Sequence, residues 1–348
     1  MILMETKKLQ FAVIGCSGMG EYHMRGIQAK ETAELYAICD INETTLQNCK
    51  EKYGVPVAVT DYTTLVNDPM IDAAVIVLPD QLHLEVTEAF LRAGKDVLCE
   101  KPMALTMEEC EAMMKAEKET GRKLMIGQVC RCTPAFALTK KLIDEGAIGE
   151  LFFVESEYAH DYAVARGAND WRVTPERHGI IGGGCHAVDL LRWIAGDPTE
   201  VFAYANHKCL TDWPVDDCTI AIMQFPNNVS GKVFTSIGCK RDYTMRSCFY
   251  GTTGTIICDN TSPTITIYQV GDGERINGKR PYTVPKEIPV EINNHNITLE
   301  IDQFVDALAN GTPLPVTSME GAKTVAVCRA CVESAAAHAL VQVKYPNV

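Results

Sequence analysis

Phe11-Ala-Val-Ile-Gly15-Cys-Ser-Gly-Met-Gly20, followed by Ile38-Cys-Asp40, is the stretch that decides the fold of this chain. Its first four residues form an apolar run of the kind that makes a strand buried on both faces. A glycine-rich turn then opens a helix, and the second segment ends another strand on a carboxylate. That order of parts holds the pyrophosphate and one ribose of a dinucleotide. Gly15 allows the tight turn, and Gly20 lets the helix pack close against the strand. Cys16, Ser17, Gly18 and Met19 complete the turn facing the phosphates. Asp40, twenty residues beyond Gly20, is placed to accept hydrogen bonds from ribose hydroxyls. The middle glycine of G-x-G-x-x-G is replaced by Ser17, with Gly18 beside it. Serine is small, so the backbone still approaches phosphate, and its hydroxyl or N–H can donate. A carboxylate at position 40 repels a 2′-phosphate, and Ile41-Asn42 brings no arginine to bind one, so NAD is expected rather than NADP. A glycine turn alone is a common steric feature of α/β folds; the strand, helix and acid around it make it specific.

The 348 residues suffice for two domains with their own cores. A hydrophobic content of 47% and a charged content of 22% are ordinary for a soluble globular protein. The formal charge of −13 argues against nucleic acid or an anionic membrane as partner. No apolar run approaches the roughly 20 residues that cross a bilayer. The segment from Met1 to Lys8 shows no signal-peptide core, so a cytoplasmic protein is expected. Fifteen cysteines, odd in number, are scattered through strand and helix patterns such as Cys39, Cys99 and Cys258, and read as reduced, buried thiols. Cys328-x-x-Cys331 lies in an Ala/Val-rich helical stretch, and Cys130-x-Cys132 lacks a second pair to complete a zinc site, so no metal is expected.

Residues 9 to about 130 alternate strand and helix. Apolar runs at Phe11–Ile14, Leu35–Cys39, Ala73–Leu78, Val97–Cys99 and Leu124–Ile126 predict parallel strands, with amphipathic helices at Asn42–Tyr53, Leu82–Ala93 and Met107–Thr120. The last begins Thr106-Met-Glu-Glu, a capping hydroxyl followed by carboxylates in the first turn. These predict a doubly wound α/β domain over residues 1–130. Residues 131–348 predict an α+β domain with a large, mostly antiparallel open sheet. Its expected helices are Thr133–Asp144, Ile297–Asn310 and Ser318–Ala339, and its strands include Leu151–Tyr158, Thr219–Phe225, Gly231–Ile237, Arg246–Tyr250, Thr255–Cys258 and Ile265–Val270.

Val97-Leu-Cys-Glu100-Lys101-Pro102 stands at a strand's carboxyl end, where ligands bind in open α/β sheets. Proline commits Lys101 to an extended backbone. A lysine there reaches a substrate hydroxyl beside a nicotinamide, or is simply a solvated turn residue.

With these segments the chain resembles the glucose–fructose oxidoreductase, inositol dehydrogenase and rhizopine-catabolism (Gfo/Idh/MocA) superfamily. The marks, spread over nearly the whole chain, are the Gly15–Gly20 turn, Pro79-Asp-Gln-Leu-His83, Ala93-Gly-Lys-Asp-Val-Leu-Cys-Glu100-Lys101-Pro102, Gly146-Ala-Ile-Gly149, Trp171-Arg172 and Gly182-Gly-Gly-Cys-His186-Ala-Val-Asp189. The resemblance implies a Rossmann domain, a sheet-based substrate domain, and pyridine-nucleotide chemistry on a sugar, cyclitol or related polyol. It implies a cofactor lining that adds Leu78, Pro79, Gln81, His83, Glu100, Lys101 and Gln128 to the glycine turn and Asp40. Lys101 matches the family's catalytic lysine and His186 its general base, an imidazole suited to proton transfer near neutrality. Asp189, one helical turn on, either orients His186 or pairs with Arg192. Dehydrogenases of the family usually carry an aspartate four residues before the histidine; here that position is Gly182, and Asp161, Asp170 or Asp189 could compensate. A structural role for His186, and a metal set of His160, His178, His186 and Asp189, are the blander alternatives.

Tyr158, His160, Tyr162, Trp171, Arg172 and Arg131 join Lys101 and His186 as candidate substrate contacts, offering stacking surface and hydrogen-bonding groups. The expected enzyme oxidises a secondary hydroxyl flanked by Lys101 and His186. Two alternatives are a redox-neutral, glycosidase- or epimerase-like enzyme that retains its NAD, and a nucleotide- or sugar-sensing protein of the same fold. The open sheet predicts a homodimer or homotetramer.

Overall fold

The computed structural model describes residues 8–270 and 285–347. The reading of the N-terminus through residue 7, and part of the strand-bearing stretch before residue 290, lie outside them. Along the first part of the chain run β1 (Leu9–Ile14), α1 (Met19–Gln28), β2 (Ala33–Cys39), α2 (Glu43–Tyr53), β3 (Val57–Val59), α3 (Thr63–Val66), β4 (Ala73–Ile76), α4 (His83–Arg92), β5 (Asp96–Glu100), α5 (Met107–Thr120) and β6 (Leu124–Gly127). Then come α6 (Pro134–Asp144), β7 (Leu151–Ala159), α7 (Gly179–Gly182), α8 (Cys185–Ala195), β8 (Glu200–Asn206), β9 (Cys218–Phe225), β10 (Val229–Ser236), β11 (Thr244–Gly251), β12 (Gly254–Asp259), β13 (Thr264–Gln269) and β14 (Lys286–Pro289). The chain closes with α9 (Ile297–Asn310), α10 (Ser318–Ala337) and β15 (Val341–Gln342).

The helices start where side chains satisfy the unpaired N–H groups of a first turn. Asn42 Oδ1 accepts from Thr45 N–H at the start of α2. Thr106 and Glu109 form the reciprocal capping box anticipated for α5. Three short strands, β3, β14 and β15, escape the periodicity pattern because two to four residues carry too little of it.

The chain divides into two compact units. The first comprises residues 1–129 and 297–322. Its six strands are all parallel in the order β3-β2-β1-β4-β5-β6, so the order reverses between β1 and β4, the switch point at which such sheets bind ligands. The sequence assigns residues 297–322 to the second domain, whereas the structure returns them to the first. The reason is packing: α9 lies on α1, where a Cβ at Gly26 would sit 3.1 Å from Ile301 Cγ1, and Phe304 meets Phe11 edge-on at 6.1 Å. Ile297, Ile301, Phe304 and Val305 thereby join the core of Phe11, Val13, Met24, Ile27 and Val75.

The second unit comprises residues 130–296 and 323–348. Its nine strands run β14-β13-β12-β11-β7-β10-β9-β8-β15, antiparallel throughout except for the parallel pair β7 and β10. Helix α8 covers β7 and β10 on one face. On the other, Tyr204 and Ile220 stand side by side across β8 and β9, as do Phe202 and Ile222, and Tyr204, Ile220 and Ile222 are exposed. Among the described residues no disulfide forms, and most of the cysteines are buried. No helix among them is long and apolar enough to cross a membrane.

Candidate active site

In the first unit the turn after β1 is closed to any side chain but hydrogen at Gly15 and Gly20. A Cβ on Gly15, at φ 99°, would lie 2.0 Å from the carbonyl oxygen of Val77, just past β4, and one on Gly20 would lie 2.0 Å from the carbonyl oxygen of Gly15. Buried Cys16 and exposed Ser17 and Gly18 lead into α1. Asp40 helps to build this turn: Oδ2 accepts from Cys16 N–H at 2.9 Å and Oδ1 from Asn42 N–H at 2.9 Å. Each carboxylate oxygen keeps a second lone pair for a ribose hydroxyl.

Leu78, Pro79 and Gln81 follow β4 into a short 3-10 turn. His83 is buried differently from its assignment as a cofactor contact. Its Nδ1 faces Pro102 O at 2.9 Å and its Nε2 faces Leu78 O at 3.1 Å, so both nitrogens brace backbone. Two carbonyl acceptors require a ring with two protons. Its pKa accordingly stands at about 10: burial opposes the charge, but Cys99, Asp80 and the Pro102 carbonyl together outweigh it. Lys101 follows β5, joined to Pro102 by a cis peptide, and its N–H donates to Glu100 Oε2 at 3.1 Å. Gln128 stands beyond β6 with 1% of its surface exposed, and neither amide atom finds a protein partner.

Glu100 points inward rather than at a ligand. Its Oε1 lies 2.9 Å from His23 Nε2, and Glu300 of α9 completes the group, with ligand-type atoms within 4.8 Å of one another. Among the described residues this is the one cluster of a kind that could hold a metal. Burial would raise Glu100, yet the His23 hydrogen bond and the nearby charges of His23 and Lys101 hold it below the ordinary carboxylate value. Burial, then the charge of Glu100, pushes Glu300 well above it. Glu300 therefore keeps its proton in the folded state while the unfolded chain loses it near pH 4.3. The folded state then binds more protons, so stability falls as pH rises above that point. Glu300→Gln removes this slope. Relative to wild type, the variant gains stability between pH 5 and pH 8 by up to about 1.4 kcal/mol per pH unit, read from urea denaturation. A difference independent of pH would show that Glu300 is already ionised.

In the second unit, His186 sits in the first turn of α8, 3% exposed. Tyr158 of β7 stacks along its ring at 6.1 Å with planes 22° apart, and the His295 ring lies at 6.0 Å. Tyr243 stacks on His295 at 5.4 Å and packs against Tyr158 and His160. Tyr158 Oη shares hydrogen bonds with Tyr162 Oη at 2.9 Å and His160 Nδ1 at 3.3 Å. Burial first, then the neighbouring tyrosines, pushes Tyr158 well above its ordinary value, so it remains a neutral hydroxyl. Tyr158, His160, Tyr162 and His186 are thus brought together. Tyr243 and His295 join them unannounced, because nothing in their local sequence marks them.

Arg131 is engaged within the fold, and Asp189 takes the pairing role that was one of its two expected roles. Arg131 grips Asp189 with two hydrogen bonds, Nε to Oδ2 at 2.8 Å and Nη2 to Oδ1 at 2.7 Å, and its guanidinium lies 5.6 Å from the Trp193 ring centre. Thr324 Oγ1 also donates to Asp189 Oδ1, and Arg192 Nη1 lies 3.8 Å from the same oxygen, the ion pair expected from their i, i+3 spacing. Two of the Arg131 nitrogens are thereby committed to a carboxylate within the fold. Arg172 covers the Trp171 ring at 4.2 Å and donates to Ala165 O, so this pair forms its own stack.

The pattern of the oxidoreductase family with an NAD-binding Rossmann fold matches residues 9–128, and that of the GFO/IDH/MocA C-terminal domain matches residues 136–257. The chain belongs to the GFO/IDH/MocA oxidoreductase family. Inositol 2-dehydrogenase 2 of Saccharopolyspora erythraea is 28% identical over 94% of this chain and 93% of the relative. Inositol 2-dehydrogenase of Rhizobium meliloti is 27% identical over 94% of this chain and 97% of its own. Levoglucosan dehydrogenase, solved in complex with NADH and levoglucosan, superposes with a TM-score of 0.86 at 25% identity, covering 97% of this chain and all of that one (100%).

The first unit of this oxidoreductase fits NAD. The glycine turn leaves room for backbone to approach phosphate, and the unpartnered Gln128 amide offers a donor and an acceptor at the sheet's carboxyl edge.

Proposed function

We propose that this protein is an NAD-dependent dehydrogenase acting on a secondary hydroxyl of a cyclitol, sugar or glycoside. The observation that carries the reading is a histidine held in a nest of tyrosine and histidine rings on a chain whose other unit carries a complete NAD turn. NAD supplies the redox chemistry by accepting the hydride with its electron pair. Lys101 holds the reacting oxygen through its ammonium group, and His186 takes the hydroxyl proton. The oxygen–hydrogen bond breaks as a nitrogen–hydrogen bond forms on the ring. Rings and hydroxyls of Tyr158, His160, Tyr162 and Tyr243 suit the alternating apolar and polar faces of a cyclic polyol. The inositol and levoglucosan dehydrogenases among the relatives support this substrate class. The test is NAD reduction against a panel of inositols, hexoses and anhydro sugars. Product formation with no net change in nicotinamide absorbance, on protein that carries NAD through purification, would replace the reading by a redox-neutral one.

Asp40 sets the cofactor preference in this proposal. Asp40→Ala weakens NADH binding by about tenfold while leaving NADPH binding unchanged or better, as read by fluorescence titration. An unchanged ratio between the two cofactors would remove Asp40 from the ribose site.

We assign the exposed sheet face to a second copy of the chain, giving a dimer or tetramer. Tyr204, Ile220 and Ile222 form an exposed apolar patch across β8 and β9, the kind of surface that a second copy covers. Ile222→Arg together with Tyr204→Arg shifts the sedimentation coefficient to that of a monomer. An unchanged coefficient places the interface elsewhere. The buried, reduced thiols suit the cytoplasm.

A further inference from the structure

The three carboxylates that could orient His186 are each engaged elsewhere. Asp161 accepts from Ala163 N–H and pairs with Lys240, Asp170 pairs with Arg166, and Asp189 with Arg131 and Thr324. Position 182, one turn before the histidine, carries no acid, and the buried Arg177 guanidinium fills the space beside it, its Nη1 2.2 Å from where a Cβ would lie. What meets the imidazole is sulfur. Cys130 Sγ lies 3.2 Å from His186 Nδ1, inside hydrogen-bond reach for a thiol, and Cys130 is 2% exposed. The sulfur is itself seated between Tyr243 Oη at 3.8 Å and Met245 Sδ at 3.6 Å.

We propose that Cys130 is the positioning residue of this site: its sulfur accepts the Nδ1 proton of His186, fixes the plane and tautomer of the ring, and leaves proton exchange with the substrate hydroxyl to Nε2. The role rests on the reading of His186 as the proton-handling group. A thiol sulfur is a weak acceptor and a carboxylate a strong one. Cysteine therefore orients the imidazole while leaving it less basic than an aspartate partner would. Groups facing the ring include Cys130 from the turn after β6, Tyr158 from β7 and His295 from the loop before α9, with Tyr243 behind the sulfur. Burial first, then neighbouring groups, holds both tyrosines well above their ordinary values, so neither adds charge in the working range.

The test is NMR of the whole protein labelled in its eight histidines, with the His186 signals assigned by their loss in His186→Gln, alongside pH profiles of kcat/KM. Wild type shows His186 protonated on Nδ1. Cys130→Val loses that preference and drops kcat by about ten- to a hundredfold with KM little changed, whereas Cys130→Ser retains both. Cys130→Asp raises the ring pKa by about one unit or more and moves the acid limb of the profile to higher pH by the same amount. An unchanged tautomer and pH profile in Cys130→Val would overturn the proposal. If no polyol is oxidised by any form, the dehydrogenase reading fails while the NMR arm still decides whether Cys130 sets the tautomer.

Discussion

His186→Ala lowers kcat/KM for polyol oxidation by about 10²–10⁴-fold, the range set by loss of a general base. The imidazole is buried, ringed by Tyr158 and His295, and met at Nδ1 by Cys130, so its replacement by a methyl group removes the ring that handles the proton. NADH binding stays at wild-type strength, because the glycine turn and the Asp40 carboxylate that builds it are untouched by the substitution. Lys101→Met gives a loss of similar size for another reason, removal of the cation that steadies the developing alkoxide. Steady-state rates and fluorescence titration of NADH on the same preparations check both variants. Equal rates for wild type and His186→Ala would remove His186 from the chemistry and leave it a packed, structural histidine.

Gly20→Val abolishes measurable NADH binding, a loss of at least about a hundredfold, and lowers stability by about 1–3 kcal/mol. The cause is steric and local. The Cβ position at Gly20 lies 2.0 Å from the carbonyl oxygen of Gly15, so a side chain forces the start of α1 away from the end of β1. Backbone N–H groups aimed at phosphate move with it. Gly121→Ala is the control. This residue caps α5 at φ 66° with nothing within 4 Å of an added Cβ. It costs about 1–2 kcal/mol of backbone strain and leaves NADH affinity intact. Wild-type affinity in Gly20→Val would show that the cofactor does not approach this turn.

Much of the nucleotide-binding half is readable in one dimension because its determinants are local. Helix α5 spans Met107–Thr120 as predicted, since its capping box lies within four residues. Asp40 and Gly15 act within a single β-turn-α-β passage, and the spacing alone brings them together. His83 shows where such reading stops. Its place in the chain suits a ligand contact, but its direction is settled by the carbonyls of Leu78 and Pro102, which become neighbours only when β4 and β5 pair. Arg131 and Asp189 are alike in this respect. Each suits a site by residue type, and they neutralise one another across 58 positions of sequence.

The sequence by itself determined the parallel sheet and the NAD turn with Asp40 beside it, because buried strands, glycine sterics and cap residues are written in contiguous residues. It also marked Lys101 and His186 as candidates for the chemistry. Only the tertiary structure returned α9 to the first unit, where Ile301 fills the space left by Gly26, and brought Cys130 to His186 across 56 residues. Such contacts have no period and no spacing. They follow from which faces of distant elements exclude water together, and that is decided when the chain packs.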